Sequence, residues 1–230
     1  MVYLTGDKHG GTESVISIVN KFDMNEDDIL IILGDAGYNY YLDWRDNYVK
    51  NKLAKLRPTI FCIHGNHECR PQNIGTYKTK QWHDGTVWYE EKYPNLLFAR
   101  DGEVFDFDGK KCLVCGGAYS VDKERRIAFN YGWWADEQPS WAIRHYTEET
   151  IKEYKWKVDV VLTHTCPLKY EPIEAFMSGV DQSKVDKSTE TWLDKIEDKL
   201  DYGAWYCGHY HIDKDIDKLH FMFNSVLTLE

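Results

Sequence analysis

The chain has 230 residues and a formal net charge of −10 at pH 7, a length that suits one large domain over residues 1–230. An acidic chain argues against long nucleic acid as the main partner, because binding a phosphate backbone calls for a basic face. No stretch is apolar enough to span a membrane. The opening MVYLTGDKHG has neither the charged start nor the apolar core of a secretory signal, so the expected compartment is the cytoplasm.

In chain order, VYLT (2–5) predicts a strand and runs into Gly6-Asp7-Lys8-His9-Gly10. GTESVISIVNKF (11–22) reads as a helix with Thr12 as its N-cap. ILIIL (29–33) predicts a second strand, ended by Gly34-Asp35-Ala36-Gly37, and YYLDWRDNYVKNKLAKL (40–56) follows with apolar residues at helical spacing. TIFCI (59–63) predicts a third strand and runs into His64-Gly65-Asn66-His67-Glu68. The middle differs: NLLFA, GEVFDFDG and KKCLVCGGAYS read as consecutive strands with a turn at Asp108-Gly109, an antiparallel part or a second sheet. VDVVLT (158–163) then ends at His164, and AWYC (204–207) ends at Gly208-His209-Tyr210-His211. The closing KLHFMFNSVLTLE reads as further strand.

Strand–helix–strand alternation implies parallel pairing in an α/β arrangement. Ligand sites in such sheets gather outside the carboxyl ends of the strands. Five apolar runs with polar endings are therefore expected to converge on one edge, bringing Asp7, His9, Asp35, Asn66, His164, His209 and His211 together. Oxygen and imidazole donors in that mixture suit manganese, iron or zinc better than calcium or magnesium. Seven groups exceed what one ion needs and are about right for two ions sharing a carboxylate. Two divalent cations less two carboxylates leave about +2, which suits a phosphate anion. A paired-metal site polarises phosphoryl oxygens and makes hydroxide at neutral pH. His67, beside Asn66 and not needed as a ligand, is free to give a proton to a leaving oxygen. One Gly-Asp or Gly-His after a strand is usually only a turn, but five in order lack another common cause.

Other residues have plainer readings. The six cysteines are expected as reduced thiols. Cys112 and Cys115 form a lone C-x-x-C inside a strand-like run and read as core. His64 reads as a core or supporting group rather than a ligand. Trp133, Trp134 and Trp141 in NYGWWADEQPSW read first as core. The loop residues Gly132, Asp136 and Pro139 around them leave a wall over the site as the alternative.

With these motifs in this order, the sequence resembles the calcineurin-like metallophosphoesterases. The family pattern is D-x-H, G-D, G-N-H-[ED], a lone His and G-H-x-H. Here it stands as Asp7-Lys8-His9, Gly34-Asp35, Gly65-Asn66-His67-Glu68, His164 and Gly208-His209-Tyr210-His211, from residue 6 to residue 211. The resemblance implies an α/β fold, a four-layer αββα sandwich of two mixed β-sheets flanked by helices, with a two-metal centre. One metal takes Asp7, His9, Asp35 and His211, and the other takes Asp35, Asn66, His164 and His209. Asp35 bridges, a hydroxide between the metals attacks phosphorus, and His67 is the general acid or a phosphate contact. Manganese is the first expectation, with iron or zinc as alternatives.

The sequence departs from relatives whose second motif is G-D-x-x-D-R-G, because the later Asp and Arg are absent after Gly34-Asp35. In the protein phosphatases of the family that Asp orients the catalytic His and that Arg grips phosphate. Asn39 is then the candidate to orient His67, and Arg125 or Arg126 to grip phosphate. The leading expectation is a two-metal phosphoester hydrolase acting on a phosphorylated small molecule or protein-borne phosphate. A protein serine/threonine phosphatase or a nucleotide phosphodiesterase are the enzymatic alternatives. A non-catalytic scaffold is the alternative of a different class, disfavoured because His67 and all seven ligands are present.

Overall fold

A computed structural model describes residues 1–229. Its first half holds β1 (Val2–Thr5), α1 (Thr12–Lys21), β2 (Ile29–Ile32), α2 (Trp44–Leu53), β3 (Thr59–Cys62), β4 (Lys78–Trp82), β5 (Gly85–Tyr89) and β6 (Leu96–Ala99). Then follow β7 (Val104–Phe107), β8 (Lys110–Cys115), α3 (Lys123–Ala128), α4 (Trp141–Glu153), β9 (Val160–Thr163), α5 (Ser188–Glu197), β10 (Ala204–Cys207), β11 (Lys214–Ile216), β12 (Leu219–Phe221) and β13 (Val226–Thr228). Among the described residues no helix is long and apolar enough to cross a membrane.

The strands form two mixed sheets, one in the order β13-β1-β2-β3-β6-β5-β4 and one in the order β11-β12-β10-β9-β8-β7. Within the first, β1, β2, β3 and β6 run parallel. Within the second, β8, β9, β10 and β12 do. Alternate residues of each strand serve different cores. Ile29, Ile31 and Phe61 meet Phe105, Val114, Val160 and Leu162 between the sheets. Leu30, Ile32 and Ile60 instead pack under Val15, Val19 and Leu53 of α1 and α2. On the far side Val161 and Trp205 pack under Ile151, Trp192 and Leu193 of α4 and α5. The result is the expected αββα sandwich, and its inner strands are continuously apolar because both their faces are covered.

Several local expectations need correction. The five polar strand ends converge as expected, but from both sheets: β1, β2 and β3 belong to the first and β9 and β10 to the second. Periodicity marks a strand but not its partners, and the pairing of β8 with β9 is a long-range choice. Thr12 is the first helical residue of α1, and Gly11 is the N-cap. Helix α2 begins only at Trp44, because the Asp43 side chain accepts a hydrogen bond from Arg45 N and caps it. Ahead of it, the Asp46 carboxylate accepts the Tyr41 and Leu42 amides and holds them in a turn. The β4–β5 hairpin, which the expectations left out, turns at His83 and Asp84 just ahead of Gly85, and both take positive φ, at 49° and 66°. The Cys112–Cys115 pair is core as expected. Cys112 faces the core between the sheets and Cys115 the core beneath the helices, so the two thiols point to opposite faces of β8.

Candidate metal centre

The ends of β1, β2 and β3 meet those of β9 and β10 across the sandwich, and the first three ends interlock through their backbones. The Lys8 and His9 amides both donate to the Asp35 carbonyl, and Gly10 N donates to the Ala36 carbonyl. Gly65 sits so close to the β2 loop that a Cβ there would collide with Asp35 Oδ1, and a Cβ on Gly34 would collide with the His164 ring. Those glycines of the Gly-Asp and Gly-Asn motifs are thus demanded by close approach. Glu68 staples the same loops, accepting Gly65 N at 3.3 Å and Gly37 N at 3.1 Å. Burial and the nearby Asp35 carboxylate push the Glu68 carboxyl up to about 8, against the pull of those amides.

All seven predicted ligands come together. Asp7 Oδ2 lies 3.1 Å from His211 Nε2 and 3.8 Å from His9 Nε2, while Asp7 Oδ1 accepts the His209 amide at 3.0 Å. Asp35 faces two ways, with Oδ2 3.9 Å from His9 Nδ1 and Oδ1 3.8 Å from His164 Nε2. The His164 and His209 rings lie 5.0 Å apart. Two groups of mutually close ligand atoms stand out, Asp7 with His9 and His211, and Asp7 with Asp35 and His164.

The donor atoms fit cations. The Leu33 carbonyl accepts a hydrogen bond from His164 Nδ1–H at 2.9 Å, which leaves the Nε2 lone pair facing Asn66 Oδ1 at 2.8 Å. The Asn66 Nδ2 group donates to Ser120 Oγ at 2.9 Å, fixing which end of the amide turns inward. Two acceptors held face to face are what a metal ion would reconcile. His9 and His211 bring their Nε2 atoms within 3.0 Å of each other, and His211 Nε2 also lies 3.1 Å from Asp7 Oδ2. Burial, with His164 beside it, pushes His209 down to about 3, so its imidazole is neutral and can coordinate. Four of the ligands, His9, Asp35, His209 and His211, hold positive φ between 43° and 68°. Such conformations cost roughly 1–3 kcal/mol each and persist where surrounding structure enforces them.

His67 stands beside the ligands. Its amide donates to Asp35 Oδ1 at 2.7 Å, and its Nε2 lies 3.2 Å from Asn66 Nδ2 and 3.4 Å from a terminal nitrogen of Arg126. Burial lowers its pKa, opposed by Asp35. Asn39 does not orient it: Asn39 is fully buried, and its side-chain oxygen accepts from the Tyr77 hydroxyl instead. Arg126 lines the cavity above the ligands, whereas Arg125 is exposed and lies outside that lining. The tryptophans do not form the wall. Trp133 Nε1 donates to Glu137, and the other oxygen of Glu137 accepts the Ser120 amide, so this loop braces the residue that holds Asn66. Trp141 is 78% exposed. His64 is buried and takes no part in the cluster.

Ser120 and the cavity wall from residues 171–185 escaped the sequence reading. Ser120 had a signal: β8 is a sixth apolar run, and it runs into Gly116-Gly117 as four of the five others run into a nearby glycine. The wall had none, being short turns of irregular sequence.

A phosphopantetheinyl hydrolase from Mycobacterium tuberculosis has a similar structure, with a TM-score of 0.51 at 13% identity over 96% of this chain and 87% of that one. At that identity the likeness shows a shared fold. No curated protein sequence matches the chain. Residues 1–213 match the calcineurin-like phosphoesterase family. A match of that extent places the chain in that family, and it is accordingly a phosphoester-hydrolysing enzyme.

Proposed function

We propose that the chain is a two-metal-dependent phosphoesterase acting on a phosphorylated small molecule or protein-borne phosphate. The observation that carries this reading is the two-way reach of Asp35, toward His9 through one oxygen and toward His164 through the other. We assign Asp7, His9, Asp35 and His211 to one ion and Asp35, Asn66, His164 and His209 to the second. Manganese is favoured, with iron or zinc as alternatives, because four of the seven groups are imidazoles. When bound, such a pair would neutralise charge on the phosphoryl oxygens and supply hydroxide near neutral pH.

The remaining work falls to the chain's own side chains. Asn66 contributes a neutral oxygen, so it adds no negative charge to repel phosphate. Arg126, held by Asp122 at 2.8 Å and by the Gly132 carbonyl at 3.1 Å, is placed to grip a phosphoryl oxygen beside His67. His67 Nε2 faces two N–H donors and is therefore unprotonated at rest. An anionic phosphate drawn between Arg126 and His67 would raise the imidazole pKa, and the proton taken up at Nε2 would pass to the leaving oxygen.

Activity on p-nitrophenyl phosphate and its bis ester should appear with added manganese, vanish with a chelator, and return better with transition ions than with magnesium. Full recovery with magnesium alone, and no bound transition metal, would overturn the two-metal assignment. Silence toward both esters would revive the scaffold alternative.

A further inference from the structure

Two cavities meet at the metal centre, and they share the row His9, His67 and Arg126. The larger, of about 680 Å³, is a pouch walled by Tyr119, Phe176, Met177, Val180, Val185 and Ile212. The smaller, of about 390 Å³, is a cleft formed by Gly10, Gly37, Tyr40, Tyr41, Asp46 and Val49. The walls come from different parts of the chain, so the shared row divides two separate compartments. In the cleft the Tyr40 and Tyr41 rings lie 4.8 Å apart, edge to face, and Tyr40 also meets Trp134 at 5.8 Å.

We propose that the substrate is a phosphodiester whose phosphorus sits on the shared row, with a flat aromatic arm in the Tyr40–Tyr41 cleft and a flexible, largely apolar arm in the pouch. The proposal rests on the phosphoesterase reading above. A monoester has one organic arm and would leave one compartment unfilled. Arg126 is the arginine common to both compartments, and it pairs with Asp122. The pouch also carries Glu171 and Glu190. Glu171 is paired with Lys187 at 2.6 Å, whereas Glu190 is buried with Oε2 unpartnered. These carboxylates disfavour a second phosphate there and favour an arm that carries an N–H or O–H donor.

The test compares kcat/KM for bis(p-nitrophenyl) phosphate and p-nitrophenyl phosphate in the manganese-loaded full chain, with Tyr41→Ala and Phe176→Ala beside the wild type. The expectation is a diester preference of about 10-fold or more. Each trimmed ring should raise KM for the diester about 5-fold, the scale of one lost aromatic contact. Equal or better use of the monoester would overturn the two-arm proposal and leave the phosphoesterase reading standing. A diester KM unmoved by either substitution would overturn it as well. No hydrolysis of either ester would instead sink the underlying reading. Tyr41 is 49% exposed, so its substitution leaves folding intact, and a thermal melt of both variants checks this.

Discussion

The two halves of the ligand set are held in different ways. Asp35, Asn66 and His164 are buried, and each is fixed by a neighbour that is not a ligand: the His67 amide, the Ser120 hydroxyl and the Leu33 carbonyl. His9 and His211 have side chains 40% and 48% exposed; they face each other and Asp7, with Asp35 beside His9 and the Phe223 ring stacked on His211. The buried half is therefore organised before any ion arrives, while the open half needs an ion to settle its imidazoles. This difference predicts a tightly held ion on the Asn66–His164 side and a readily exchanged one on the His9–His211 side.

The largest effect should come from Asp35, which we assign to both halves. Asp35→Asn is expected to lower activity about 1,000-fold or more and to deplete both ions, because a neutral amide bridges two cations poorly. Loss of one ion only, measured by elemental analysis, would assign Asp35 to one half.

His67 belongs to neither half. His67→Ala should retain both ions and lose rate by about 100-fold or more where the leaving oxygen needs a proton. With p-nitrophenol as leaving group the loss should be small, and with an alkyl alcohol it should be large. Equal losses on the two substrates would make His67 a phosphate contact and remove it as the acid.

Ser120 sharpens the comparison from the buried side. Ser120→Ala frees the Asn66 amide to turn, and it should weaken metal affinity on that side about 10-fold, the usual effect of removing a group that orients a ligand. Activity at saturating manganese should recover almost fully. A rate that stayed low at saturation would show that Ser120 acts on more than the amide.

The meeting of Asp7, His9, Asp35, Asn66, His164, His209 and His211 was legible in the sequence, because each lies within a few residues of the end of a short apolar run, and that pattern is local. The sharing of five strand ends between two sheets was not legible, since burial on both faces makes every inner strand look alike. The left-handed backbone at His9, Asp35, His209 and His211 was hidden too, because none of them is a residue that favours positive φ as glycine does. Arg126 and Arg125 are adjacent and chemically identical, and only the turn of α3 decides which one reaches His67. The absence of the second-motif Asp is plain in the sequence, but the engagement of Asn39 with Tyr77 inside the core is not.

A metal count tests the two-ion centre most directly. At saturating manganese the wild-type chain should bind about two ions, and His211→Ala about one, with the remaining ion resisting a chelator that strips the other. Two ions retained in His211→Ala, or a single ion in the wild type, would contradict a centre built from a buried half and an open half.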